Sequence, residues 1–259
     1  MDCDFSEFSY GYAAIREAES ELAAIYKAAG APVLPSLVAE EMLGWDAKLG
    51  FVEYALFLQF KRIEYVSREH PASPTWWAVG GPHYRFSIDT DGHQHRALTT
   101  LERNLAAGTD PGHVYYAAPG FHRQQEFDEA YSFGQVLDRS HILPPSELGL
   151  GTGKHHLVSD LHGGVQILSE PRRPEGLLAW ESMTSLVRRR ATAAADRPRR
   201  RDLTLGQFEE ALNESVSSLG RVIPRSVDAP MARRLQRSAA ILGCGLILFL
   251  VDEPTEGRI

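Results

Sequence analysis

The spacing of apolar positions changes several times along the chain, and each change marks a candidate element. Over residues 10–29, Ala14, Ile15, Ala18, Leu22, Ile25 and Tyr26 recur at three- and four-residue intervals. This spacing predicts an amphipathic helix stopped by Gly30 and Pro32. A short helical turn is expected in "PSLVAEEMLG", with Ser36 as its cap and Gly44 as its end. The period then shortens. "WDAKLGF" alternates loosely, "ALFLQF" is a near-continuous apolar run, and the connecting "GFVEYA" is short enough for a tight reversal, which predicts two adjacent antiparallel strands. Further strands are expected at 83–89 and 113–121. Helices are expected in "HQHRALTTLERNLAAG", where Leu98, Leu101 and Leu105 share a side, and in "RQQEFDEAYSFGQVL". The order helix, strand, strand, strand, helix, strand, helix predicts a mixed α/β sandwich up to about residue 137.

Beyond residue 142 the pattern weakens, so residues 1–141 are read as one domain and 142–259 as a C-terminal extension, mixed at first and then mostly helical. "LPPSELGLGTGKHH" reads as a loop, "HHLVSD" and "VQILSE" as short strands, and "PEGLLAWESMTSLVRRR" as a helix. The arginine-rich stretch over 188–202 reads as an exposed linker or arm. "TLGQFEEALNESVSSLG" and "APMARRLQRSAAILG" predict two more helices, and "GLILFLVDE" a last strand or a continuation of the preceding helix.

Composition narrows the function classes. The chain has 259 residues, 43% apolar and 24% charged, enough for a packed core with no sign of wholesale disorder. Its apolar run "AAILGCGLILFLV" is shorter than the roughly 20 residues a membrane-spanning helix needs, so it is read as core. The acidic opening "MDCDFSEFSYGY" lacks the pattern of a secretory signal, and the two cysteines, Cys3 and Cys244, stand far apart. A reducing cytoplasm is the expected compartment, with no membrane partner. The net charge of −7, from 27 basic and 34 acidic residues, does not advertise a nucleic-acid binder, although a local basic face can override the total.

The candidate chemistry lies in "LGWDAKLGFVEYALFLQFKR". Lys61 is two positions beyond Gln59, so on a strand both point to one face while Leu58 and Phe60 point to the other. If the two expected strands pair, Asp46 comes to lie beside both. An aspartate on one strand followed by Glu or Gln, any residue and Lys on the next resembles the PD-(D/E)XK nuclease superfamily. The closest similarity is to its Mrr-like branch, in which QxK replaces ExK. The matching residues are Gly44 to Asp46 and Gln59 to Lys61, and the likeness covers about residues 1–140.

The resemblance implies a restriction-endonuclease-like fold, a mixed sheet flanked by helices, and metal-dependent hydrolysis of phosphodiester bonds in DNA or RNA. It also implies Mg²⁺ or Mn²⁺ held by Asp46, Glu41 and Gln59, with Lys61 assisting the attacking water. Glu41 is the first choice for the second acid, ahead of Glu40, Glu21 and Glu17. A place in prokaryotic restriction or anti-phage defence follows by analogy. Because Gln59 is neutral, the alternative is a catalytically silent member of the fold that binds nucleic acid or a partner protein through its C-terminal part. A homo-oligomer is compatible with either reading. A small-molecule α/β enzyme is a third reading.

The remaining candidates are weighed against plainer roles. Arg85 and the arginines at 188, 189, 190, 199, 200 and 201 are assigned to phosphate contacts, or else to a cross-strand ion pair and a solvated linker. Trp76 and Trp77 are offered for base stacking or as ordinary packing. His93, His95, His155, His156 and His162 lack the tight spacing of a structural zinc site. "LGLGTGKH" fails as a phosphate loop because Leu148 stands where the first glycine belongs and His155 where Ser or Thr would bind the cation.

Overall fold

The structure is a computed structural model, and it describes residues 2–26, 31–34, 50–69, 74–106, 112–160, 164–168, 173–176, 179–195, 203–220 and 231–252. It is an α/β fold with a mixed sheet flanked by helices. The central strand is β1, Gly50–Phe60. On one edge it pairs in parallel with β4, Gly112–Pro119, from Ala55 onward. Phe51 pairs both with Thr204 of the short β8, Leu203–Thr204, and with Val251 of β9, Gly245–Asp252. A residue has one neighbour per edge, so β8 continues the β4 side while antiparallel β9 occupies the other. β5, Ser140–Leu143, adds to the outer edge of β4.

Burial on both faces explains the unbroken apolar run of β1. One face, carrying Val52, Ala55 and Phe57, packs against α3 (His93–Ala106), α6 (Leu205–Ser217) and α7 (Met231–Leu242). The other, carrying Tyr54, Leu56, Leu58 and Phe60, packs against α1 (Glu7–Leu22), α4 (Gln124–Phe133) and α5 (Trp180–Ala195). α1 begins at Ser6, whose hydroxyl accepts from the Ser9 amide at 2.9 Å. It lies so close to β1 that a Cβ at Gly11 would stand 2.7 Å from the Phe60 ring. A second, antiparallel sheet runs β2 (Glu64–Val66), β3 (His83–Asp89), β6 (Lys154–Asp160) and β7 (Val165–Ile167), and α2 (Pro74–Val79) lies between β2 and β3 in sequence. Phe86, Ile88 and Leu157 of this sheet share the core of α3. Among the described residues no helix is long and apolar enough to cross a membrane.

Two expectations are corrected. The reversal in "GFVEYA" does not form: residues 50–60 are one strand with a register shift between Val52 and Tyr54. The segment read as a short connection holds this irregularity instead: Glu53 is exposed at the shift, and beyond it both faces of the strand are buried. The basic stretch is not a linker throughout, because residues 188–195 continue α5. The rest of that run, including Arg199, Arg200 and Arg201, lies outside the described residues. A boundary after residue 141 would fall inside β5, and β9 from the C-terminal part is laid against β1.

Candidate active site at the end of β1

β1 ends where three distant segments meet. Gln59 is opposite Tyr116 of β4, and the Lys61 amide continues the ladder by donating to the Ala117 carbonyl at 2.9 Å. On the other edge Leu58 is opposite Gly245, the first residue of β9, so Gln59 lies beside the turn from Leu242 to Cys244. α3 supplies Gln94 from its first turn. Gln59 and Lys61 share the Phe57 face, as the two-residue step requires.

The side chains form one connected network. The Gln94 Nε2 donates to Gln59 Oε1 at 2.8 Å and to the Leu242 carbonyl at 3.2 Å, while its Oε1 accepts from Lys61 Nζ at 3.4 Å. Gln59 Nε2 donates to the carbonyl of Phe60 at 3.2 Å, and the Cys244 thiol reaches Gln59 Oε1 at 3.8 Å. The Lys61 ammonium also stands 5.4 Å from the centre of the Tyr116 ring, a cation–π contact. The Tyr116 hydroxyl lies 2.9 Å from His95 Nδ1, and His95 Nε2 lies 2.8 Å from the Gly149 carbonyl. A carbonyl accepts only, so Nε2 carries the proton and Nδ1 accepts from the tyrosine.

Burial dominates the electrostatics. It holds the Lys61 amine below the ordinary lysine value, and the Glu7 carboxylate opposes that shift in part. Burial pushes the Glu7 carboxyl up against the pull of Lys61. The Cys244 thiol is pushed up to about 12 by burial, so it is a neutral packing group rather than a thiolate. The centre therefore offers an amine with weakened hold on its proton beside a fixed amide, suited to donating to an anionic oxygen or to orienting a water.

The described residues give two amide oxygens, that of Gln59 accepting from Gln94 and that of Gln94 accepting from Lys61, and one carboxylate, Glu7, which Lys61 influences electrostatically. Among the described residues no group of three or more His, Cys, Asp or Glu could hold a metal ion. By themselves they do not fit a Mg²⁺ site. Asp46 and Glu41, the carboxylates assigned to the cation, lie outside the described residues, as does Glu40. Glu17 is committed elsewhere: its oxygens accept from the buried amides of Val136 and Leu137 at 2.8 and 2.9 Å.

The other candidates are dispersed. Arg85 is on β3 of the second sheet and pairs with Glu64 across the strands. Arg188 and Arg189 are exposed on α5, and Arg190 follows in the same helix, which covers the sheet face opposite to Gln59. Trp76 and Trp77 are on the short α2, Trp77 being 68% exposed. His155 binds Thr152 and His156 binds Ser87, while His162 lies outside the described residues. The glycines at 149, 151 and 153 make a loop, with φ of 61°, 71° and 89°, that is fastened to Thr90. Sequence reasoning missed Gln94, Tyr116, His95 as a partner of Tyr116, and the Leu242–Cys244 turn. "HQH" drew attention to its histidines, although the glutamine between them is the residue that reaches Gln59.

Comparison with protein-family models, with curated proteins and with solved structures gave no match to this chain.

Proposed function

We propose that the chain is a metal-dependent nuclease with a restriction-endonuclease-like core, hydrolysing phosphodiester bonds in DNA, in a setting such as prokaryotic restriction or anti-phage defence. The observation that carries the reading is the pair Gln59 and Lys61, side by side at the carboxyl end of β1, where α3 leads from the second sheet into parallel β4. Lys61 is the working group: its amine donates to the non-bridging oxygen of the scissile phosphate and orients the attacking water. A divalent cation, assigned to Asp46, Glu41 and Gln59, would supply Lewis-acid activation of that water. Gln94 holds the amine in place and is itself braced by Gln59.

The test is cleavage of plasmid DNA by the purified chain with Mg²⁺ or Mn²⁺, with a chelator arm and with structured RNA as a second substrate. Cleavage that is lost on chelation and in Asp46→Ala and Lys61→Ala, with both variants folded, supports the reading. No cleavage of DNA by the wild type with either cation sinks it.

One observation favours a second reading, a silent nuclease fold that binds nucleic acid or a partner protein. Gln59 is neutral, only 5% exposed, and already bonded on both ends of its amide. Binding of DNA that survives Asp46→Ala and Lys61→Ala, with no cleavage by any form, is its signature.

A further inference from the structure

We infer that Gln94 is a positioning residue, which sets the directions of the Gln59 oxygen and the Lys61 amine and is itself fixed by the Leu242–Cys244 turn. The inference rests on the reading of Gln59 and Lys61 as the working pair. Its warrant is the direction of each hydrogen bond. An amide oxygen and an amide nitrogen are interchangeable in shape, so their orientation must come from their partners. Two partners of Gln94 settle it. The Leu242 carbonyl can only accept, so the Gln94 NH₂ faces it. Lys61 can only donate, so the Gln94 oxygen faces the amine.

The orientation of Gln59 follows in turn. Its group nearest the Gln94 NH₂ must be its oxygen, at 2.8 Å, which leaves its own NH₂ for the carbonyl of Phe60. A single side chain from α3 thus orders residues of β1 by means of an acceptor that precedes β9. The fit is close: a Cβ on Gly243 would stand 2.8 Å from Gln94 Nε2 and 3.4 Å from Gln59 Oε1.

This directionality makes two isosteric substitutions unequal. In Gln59→Glu the new carboxylate still accepts from Gln94, so Gln94 keeps its orientation, although the bond to the Phe60 carbonyl is given up. In Gln94→Glu the carboxylate can donate neither to Gln59 nor to Leu242, so Gln59 loses the bond that orients it.

The experiment uses the full chain labelled with ¹⁵N-glutamine, reading side-chain amide signals and their hydrogen exchange. The Gln94 amide is expected to exchange at least about tenfold more slowly than those of Gln124 and Gln125, which are exposed on α4. Gln59→Glu leaves that protection in place, whereas Gln94→Glu shifts the Gln59 signal and speeds its exchange. If the Gln94 amide exchanges as fast as the surface glutamines, or if Gln94→Glu leaves the Gln59 signal unmoved, the inference is overturned. The wild-type measurement decides even where a variant fails to fold. In the DNA assay, Gln94→Glu lowers kcat about tenfold or more with KM unchanged, and a change confined to KM overturns the positioning role. If the wild type cleaves no DNA, the nuclease reading fails while the exchange data still decide the role of Gln94.

Discussion

Replacing Gly243 by alanine probes the junction at which the C-terminal turn meets the site. Gly243 has a φ of 71°, in the left-handed region, which an L-residue occupies at a cost of roughly 1–2 kcal/mol. The new methyl would also lie 2.8 Å from Gln94 Nε2. That atom ends a flexible side chain and can swing away, so the further cost is the two hydrogen bonds it abandons, about 1 kcal/mol each. The expected loss is about 3–4 kcal/mol.

Gly220 provides the control, with a φ of 69° and nothing within 4 Å of an added Cβ. Gly220→Ala meets the backbone cost without the displacement, about 1–2 kcal/mol. Thermal unfolding should place the two variants about 10 °C and about 5 °C below wild type, at 2–4 °C per kcal/mol for a chain of about this size. In a Gln94→Ala background the cost of Gly243→Ala should fall to that of Gly220→Ala, since the atom to be displaced is gone. Equal losses at Gly243 and Gly220 in the wild-type background would refute the claim that the turn and Gln94 are in mutual contact.

Glu17→Ala leaves the buried Val136 and Leu137 amides without their acceptor and should destabilise the chain by about 2–4 kcal/mol, measured by urea unfolding. Burial raises the Glu17 carboxyl above its ordinary 4.5, so its contribution is full below pH 4.5 and declines as pH rises through the folded-state value; the gap between wild type and variant should be wider at pH 4.5 than at pH 8. His122 is buried against the Tyr65 ring at 4.2 Å, and neither ring nitrogen has a hydrogen-bond partner among the described residues, although Glu126 stands 3.6 Å away. Burial lowers it from 6.5, so stability present above pH 6.5 is lost as pH falls, and His122→Phe should flatten the acid side of a melting-temperature profile between pH 7 and 5. An unchanged acid limb would show that protonation of other groups controls it.

Local signals were legible where one face or one stop dominates. The stripe of Leu98, Leu101 and Leu105 marked α3, and the strand expected over 83–89 is β3. Boundaries slipped where capping outweighed periodicity. α1 begins at Glu7 because Ser6 caps it, ahead of the first apolar repeat, and α4 stops at Gly134 rather than running on to Leu137. The pairing of β1 was not legible. A strand buried on both faces carries no alternation to reveal its partners, and β9 lies far away in sequence. In the site, the two-residue step put Gln59 and Lys61 on one face, which the structure places together at the end of β1. Gln94 left no periodic trace, because its role depends on α3 and the Leu242 turn meeting in space.

The pairing of β1 with β9 also sets a schedule for folding. Leu58 and Gly245 are neighbours in the sheet although most of the chain lies between them, so this edge closes slowly and late. At about 5–20 residues per second, a ribosome needs roughly 10–40 s to make what lies between the two strands. Throughout that interval Tyr54, Leu56 and Leu58 present an unpaired, apolar strand edge of the kind that recruits other chains. The nascent chain should therefore depend on chaperone shielding at this edge, and Gln59 should acquire its full set of neighbours only when synthesis has passed the Leu242–Cys244 turn.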